Sequence, residues 1–88
     1  MEKFDTAKLP VLDRYGKVIT KEEMKEIVFH VYEALEEKGY NPIQQIVGYI
    51  MSEDPTYITA HKNARALMSK IDRFDLLNFI VEDYVKKL

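Results

Sequence analysis

Residues 37–50 read EKGYNPIQQIVGYI, and their reading decides the architecture, because two strongly apolar stretches meet there at a Gly-Tyr-Asn-Pro break. Gly39 stands where a left-handed residue closes a helix. Asn41 can cap the next helix, Pro42 takes its first position, where a missing N–H costs nothing, and Gln44 follows at the third. The break is therefore a corner between two helices. Gly48, inside the second helix, costs about 1 kcal/mol relative to alanine. It marks the close approach of a neighbouring helix or subunit, with Tyr40 and Tyr49 packed around that approach.

Upstream of the corner, Thr20 begins TKEEMKEIVFHVYEALEEKG, where Thr20 and Glu23 form a capping-box pattern. Met24, Ile27, Val28, Val31, Ala34 and Leu35 then recur at helical spacing. Phe29 and Tyr32 fall off that stripe and point to a second buried surface. Residues 1–19 show no sustained period and are interrupted by Pro10 and Gly16, so they read as a flexible arm before a helical domain over 20–88. A short extended piece at 9–12 fits within that arm.

Downstream, Ile43, Ile46, Val47, Ile50 and Met51 form the expected inner face of the second helix, and Pro55 stops it by disfavouring helical geometry at Asp54. A third helix is expected over about residues 60–71, with Ala64, Leu67, Met68 and Ile71 inward. Asp72 or Asp75 marks the bend into a fourth, whose inward face is Leu77, Ile80, Val81, Tyr84 and Leu88. Phe79 and Val85 lie outside that face, so this helix too is apolar nearly all round. The pattern predicts an all-α bundle of about four helices.

At 88 residues the chain makes one domain with a modest core. A net charge of -2 argues against a general nucleic-acid binder, which carries a basic excess. Cysteine is absent, so disulfides and thiolate zinc sites are excluded. No leader-like or membrane-spanning apolar run occurs, which predicts a cytoplasmic protein without membrane insertion. Neither a catalytic fingerprint nor a cofactor motif appears, and His30 and His61 lack a matching carboxylate motif. Glu53 and Asp54 read as polar punctuation before Pro55 rather than as an acid-base pair.

The densest positive run is AHKNARALMSKIDR, with His61, Lys62, Arg65, Lys70 and Arg73. On a regular helix His61 and Arg65 would lie one turn apart and could meet one anionic group. The run reads either as a solvated basic face or as a dock for an acidic or phosphorylated segment, since arginine forks match phosphate oxygens. A helix-turn-helix DNA reader is the weaker alternative, because few base-reading side chains other than Asn63 and Ser69 are present.

VYEALEEKGYNPIQQIVGYIMSEDPTYI, HKNAR, Arg73 and VEDYVKKL together closely resemble the IreB family of small regulatory phosphoproteins from low-GC Gram-positive bacteria. The likeness covers roughly residues 26–88, with EKGYNP, QIVGY, DPxYI and HKxAR in the family's order and spacing. It implies an intertwined all-helical homodimer without enzymatic activity or cofactor. It also implies a substrate of a membrane-bound Ser/Thr kinase and its cognate phosphatase that controls peptidoglycan synthesis and cell-wall antibiotic tolerance. That control would run through regulated proteolysis of an early precursor enzyme, with a protease adaptor or cell-wall pathway protein as partner. DTAKL matches the family's phosphoacceptor context, so Thr6 is the implied phosphorylation site.

On the same resemblance His61, Lys62, Arg65 and Arg73 form the partner-binding surface, while Phe29, Tyr32, Tyr40, Gly48, Tyr49 and Phe79 serve dimerisation or packing. Gly39, Asn41 and Pro42 build the corner. The chain departs from its relatives at Lys3, where some have a second threonine, at Thr59 and Ala60 in place of Pro-Arg, and at Ser69 in place of an arginine. The rival reading is a constitutive dimeric adaptor without phosphoregulation.

Overall fold

Local signals set the helix boundaries. The computed structural model describes residues 10–88, so Thr6 lies outside the described residues. Four helices follow in order: α1 (Lys21–Glu37), α2 (Pro42–Ser52), α3 (Ala64–Met68) and α4 (Arg73–Lys86), with single 3₁₀ turns at Pro55–Tyr57 and His61–Asn63. The fold is all-α, as the patterning predicts.

The Thr20 hydroxyl accepts a hydrogen bond from the Glu23 N–H at 3.1 Å, and the Glu23 carboxylate accepts one from the Thr20 N–H at 3.4 Å. This completes the capping box that begins α1. At its other end Gly39 adopts φ +83°, the Gly39 N–H donates to the Glu36 carbonyl and the Tyr40 N–H to the Leu35 carbonyl, both at 3.0 Å. The paired bonds satisfy carbonyls that the helix end would otherwise orphan. Asn41 then accepts from the Gln44 N–H at 3.1 Å with Pro42 in the first turn of α2. Asp72 starts α4 by accepting from the Phe74 N–H at 2.9 Å.

The core gathers Met24, Val31, Ala34 and Leu35 of α1 with Ile46, Tyr49 and Ile50 of α2, Ala64 and Met68 of α3, and Ile19, Ile58, Ile71 and Leu76. The α1 stripe is as expected. On α2 the inward face is rotated: Tyr49 is buried with Ile46 and Ile50, whereas Ile43, Val47 and Met51 are exposed. On α4 Leu76 is fully buried and Phe79 and Ile80 pack against the core, while Leu77, Val81, Tyr84 and Leu88 face outward. Both helices are apolar on more than one side, so periodicity alone does not choose the side that turns inward. The outcome leaves apolar stripes of α2 and α4 uncovered.

Two further differences concern the connections. The third helix is shorter than its expected span, because Lys62 and Asn63 adopt left-handed conformations, φ 53° and 62°, immediately before α3. Residues 11–19 are also held in place. Leu12 and Val18 form an antiparallel bridge, the Ile19 N–H donates to the Val11 carbonyl at 2.8 Å, and Ile19 is buried. Arg14 attaches this loop to the end of α3 through its N–H, which donates to the Lys70 carbonyl at 3.1 Å.

Candidate functional site

Of the basic residues singled out in the sequence, His61, Lys62 and Arg65 come together around the kink between Ile58 and α3, whereas Arg73 stands apart at the end of α2, and most are committed to the chain itself. Left-handed backbone is unfavourable for a residue with a Cβ, by roughly 1–2 kcal/mol, so the turn at Lys62 and Asn63 needs anchors. Helix α1 supplies two. Glu37 receives the His61 ring Nε2 on Oε1 and the Lys62 ammonium on Oε2, each at 2.8 Å. His30 Nε2 lies 2.7 Å from the Lys62 carbonyl and donates its hydrogen there. His61 and Lys62 therefore fasten the turn to α1, and the regular helical spacing expected between His61 and Arg65 is absent.

The two arginines have comparable duties. Arg65 Nε donates to the carbonyl of fully buried Ile58 at 2.8 Å. Arg73, the first residue of α4, donates to the Ile50 carbonyl near the end of α2 and pairs with the Glu53 carboxylate at 2.9 Å. Glu53 itself closes α2 in a left-handed conformation, φ 63°. Arg73 thus caps α2 from outside it, satisfying a carbonyl that the helix end leaves over. Glu37 and Arg14 were not singled out by sequence reasoning, which read His30 as lacking a carboxylate motif and Glu53 as polar punctuation. Glu37 and His30 lie 24–32 residues from their partners on the kink, and no local pattern announces such pairs.

The carboxyl of Glu37 is held below the ordinary glutamate range by hydrogen bonds from Lys62 and then from His61. A depressed folded-state value gives a stabilising contribution that is complete above the unfolded glutamate range and is lost as pH falls through the folded value. Glu37→Gln is therefore expected to lower the urea midpoint at neutral pH and to flatten the acid limb of stability. Urea unfolding of both proteins between neutral pH and about pH 3, below the usual carboxylate range, checks this. Parallel pH curves would remove Glu37 from the clamp.

The aromatic residues divide into two groups. Tyr49 is buried and its hydroxyl is pushed above the ordinary tyrosine range by burial. Gly48 faces the Tyr57 ring of the same chain: a Cβ built on Gly48 would lie 2.6 Å from Tyr57 Cδ1 and closer still to Cε1. The close approach marked by Gly48 is thus made within one chain. Phe29, Tyr32 and Phe79 line an open groove of about 280 Å³ between α1 and α4, together with Val28 and Ile80 and with Lys25 and Asp83. Tyr40 is exposed beside the corner.

No cluster of three or more His, Cys, Asp or Glu side chains suited to a metal ion occurs among the described residues, and none of their helices is long and apolar enough to cross a membrane. What the arrangement offers is surface: apolar stripes on α2 and α4, an apolar groove between α1 and α4, and a cationic turn whose backbone is fixed.

Comparison with known proteins points the same way. The model of the IreB regulatory phosphoprotein family matches residues 14–86. A UPF0297 protein of Lachnoclostridium phytofermentans is 55% identical over 62 residues, covering 70% of each chain. Another, from Ruminiclostridium cellulolyticum, is 53% identical over 64 residues, covering 73% of each. The matched span takes in the loop at Arg14, the corner, the kink and all of α4, and on this evidence the chain belongs to the IreB regulatory phosphoprotein family.

Proposed function

We propose that the chain is a non-enzymatic, cytoplasmic regulatory phosphoprotein. In this reading a membrane-bound Ser/Thr kinase and its cognate phosphatase act on Thr6, and the phosphorylation state governs contacts that control peptidoglycan synthesis and cell-wall antibiotic tolerance through regulated proteolysis. Membership of the IreB family is the observation that carries it. The helical body supports it as a platform, because its four-helix frame is closed by internal caps and its uncovered features are faces rather than a catalytic cleft. A phosphate adds about -1.5 to -2 charge near neutral pH, enough to change a docking contact without repacking a core.

Incubation with the cognate kinase should add one phosphate by intact mass, and Thr6→Ala should abolish the addition while leaving thermal unfolding unchanged. Continued labelling of Thr6→Ala would overturn the site assignment.

The reading includes a homodimer. Ile43, Val47 and Met51 are spaced four residues apart and form one exposed stripe of α2, and Leu77, Val81 and Tyr84 form another on α4, continued by Leu88 just beyond its end. Uncovered apolar stripes of this kind are suited to burial against a second copy. Light scattering should give twice the chain mass, and Val47→Glu should shift the population towards monomer with helical circular dichroism retained. A monomeric parent protein would overturn the dimer.

A further inference from the structure

Where α2 ends and α4 begins, an open cavity of about 370 Å³ is lined by Tyr49, Glu53, Ile71, Asp72, Arg73 and Phe74. Tyr49 is the anomaly in it. Only 7% of this residue is exposed, yet its hydroxyl has no hydrogen-bond partner among the described residues, where every fully sealed polar side-chain atom has one. The hydroxyl is therefore open, and the cavity that Tyr49 lines is its outlet. A tyrosine this deep ordinarily bonds through its oxygen, so the unused group marks a place for a partner from outside the chain.

The charges around that hydroxyl favour a cation. Beyond burial, which acts on it most, Tyr49 feels Arg73, Arg14 and Asp72. Arg73 is spent inside the chain, on the Ile50 carbonyl and the Glu53 carboxylate. Asp72 uses one oxygen to accept from the Phe74 N–H, keeps the other, and has no ion pair among the described residues. Asp75, in the first turn of α4, has none there either, and its carboxyl is pushed above the ordinary range by burial and then by Asp72. The two helix ends oppose one another, α2 presenting its negative end and α4 its positive one, each about half a charge. What remains is Arg14 against two unpaired carboxylates.

Phe74 supplies the last wall. It is the second residue of α4 and 70% exposed. A guanidinium can lie on such a ring while the free Asp72 oxygen and the Tyr49 oxygen accept its N–H groups. An ammonium has no plane to stack and no fork. The chain's own arginines are Arg14, Arg65 and Arg73, and each is engaged internally: Arg14 at Ser69 and over the Tyr15 ring, Arg65 at Ile58, Arg73 at Ile50 and Glu53. A second copy therefore has no arginine to spare, and the guanidinium comes from a different protein.

We propose that this cavity receives an arginine side chain of a separate protein, its guanidinium stacked on Phe74 and donating to the free Asp72 oxygen and to the Tyr49 hydroxyl oxygen. The contact goes beyond the regulatory reading and involves no phosphate, so kinase labelling of Thr6 and this docking succeed or fail separately.

The test follows the amide resonances of the full chain, isotopically labelled on nitrogen, during titration at fixed salt with a glycyl-arginyl-glycine peptide blocked at both ends. Saturable shifts are expected at Tyr49, Glu53 and residues 71–74. The matching citrulline peptide, which keeps the shape and loses the charge, should bind about tenfold more weakly, and the lysine peptide about threefold more weakly. Asp72→Asn retains a capping side chain and removes the charge. That variant and Phe74→Leu should each weaken arginine binding about fivefold, and Tyr49→Phe about threefold, with helical circular dichroism unchanged. Glu33→Gln, an exposed acid on α1, should leave the affinity as it was.

Citrulline or lysine peptides that bind as tightly as arginine, or a glutamate peptide that shifts the same amides, would overturn the proposal. Affinities unmoved by Asp72→Asn and Tyr49→Phe would do so too. An equal loss in Glu33→Gln would reduce the binding to general charge attraction and overturn it as well.

Discussion

Ile58→Ala is expected to remove about 2–5 kcal/mol of unfolding free energy, the range for truncating a fully buried branched side chain. Ile58 has no exposed surface and sits in the only stretch that connects the first 3₁₀ turn to the kink. Its N–H donates to the Pro55 carbonyl at 3.1 Å and its carbonyl receives Arg65. Alanine keeps both backbone groups, so the substitution reports the side chain alone. For a small domain with total stability of roughly 5–10 kcal/mol, such a loss depletes the folded population near physiological temperature. Val18→Ala supplies the control, since Val18 is 60% exposed, lies outside both stripes proposed for the dimer, and should cost no more than about 0.5 kcal/mol. Urea unfolding of both variants, with unchanged slopes, decides the matter. Equal losses would mean that the core is not centred where Ile58 places it.

The second large effect is expected at Gly48, and its sign should depend on another residue. In the parent protein Gly48→Ala drives a methyl group into the Tyr57 ring, and overpacking of this kind typically costs about 1–3 kcal/mol. The ring belongs to the 3₁₀ turn at Pro55–Tyr57 and is 38% exposed, so it can swing partly towards solvent, which places the expected cost at the low end of that range. In a Tyr57→Ala background the obstruction is gone, and alanine should stabilise α2 by about 1 kcal/mol through helix propensity. A double-mutant cycle followed by urea unfolding measures the difference. Gly48→Ala that stabilises both backgrounds would show that Tyr57 does not occupy the space above Gly48.

These two sites also show what can be read from the letters. The caps at Thr20, Gly39 and Asn41 were legible because each works through hydrogen bonds to residues no more than four or five positions away, whereas the bend into α4 was read at Asp72 or Asp75 and only the structure singles out Asp72 as its cap. The cost of Gly48 was legible as a sign of close approach, whereas the identity of the neighbour, Tyr57, depends on how the chain turns after Pro55. The inward faces of α2 and α4 were misassigned for a different reason. Ile43, Val47 and Met51 are as apolar as Ile46 and Ile50, and only the tertiary arrangement selects between the two sides. At the kink, nothing local in HKN announces left-handed Lys62 and Asn63, which depend on Glu37 and His30 from a distant helix. Arg65 and Arg73 were found as charges, but their work on the carbonyls of Ile58 and Ile50 was not visible in composition or spacing.

The attachment of α4 is unequal along its length. Near its start, Arg73 holds the Ile50 carbonyl and Leu76 is sealed in the core, interactions that added salt barely weakens. Further along, an exposed pair between Lys21 and Glu82 at 2.5 Å links it to the start of α1, and such surface charges are screened as the Debye length shrinks to a few ångströms. Concentrated salt is therefore expected to weaken only this distal link, worth no more than about 1 kcal/mol for an exposed pair, while the proximal turn and the core contacts of Phe79 and Ile80 stay seated. The last helix thus has a fixed root and a lightly held tip, and the tip bears Val81, Tyr84, Val85 and Leu88, all exposed apolar side chains.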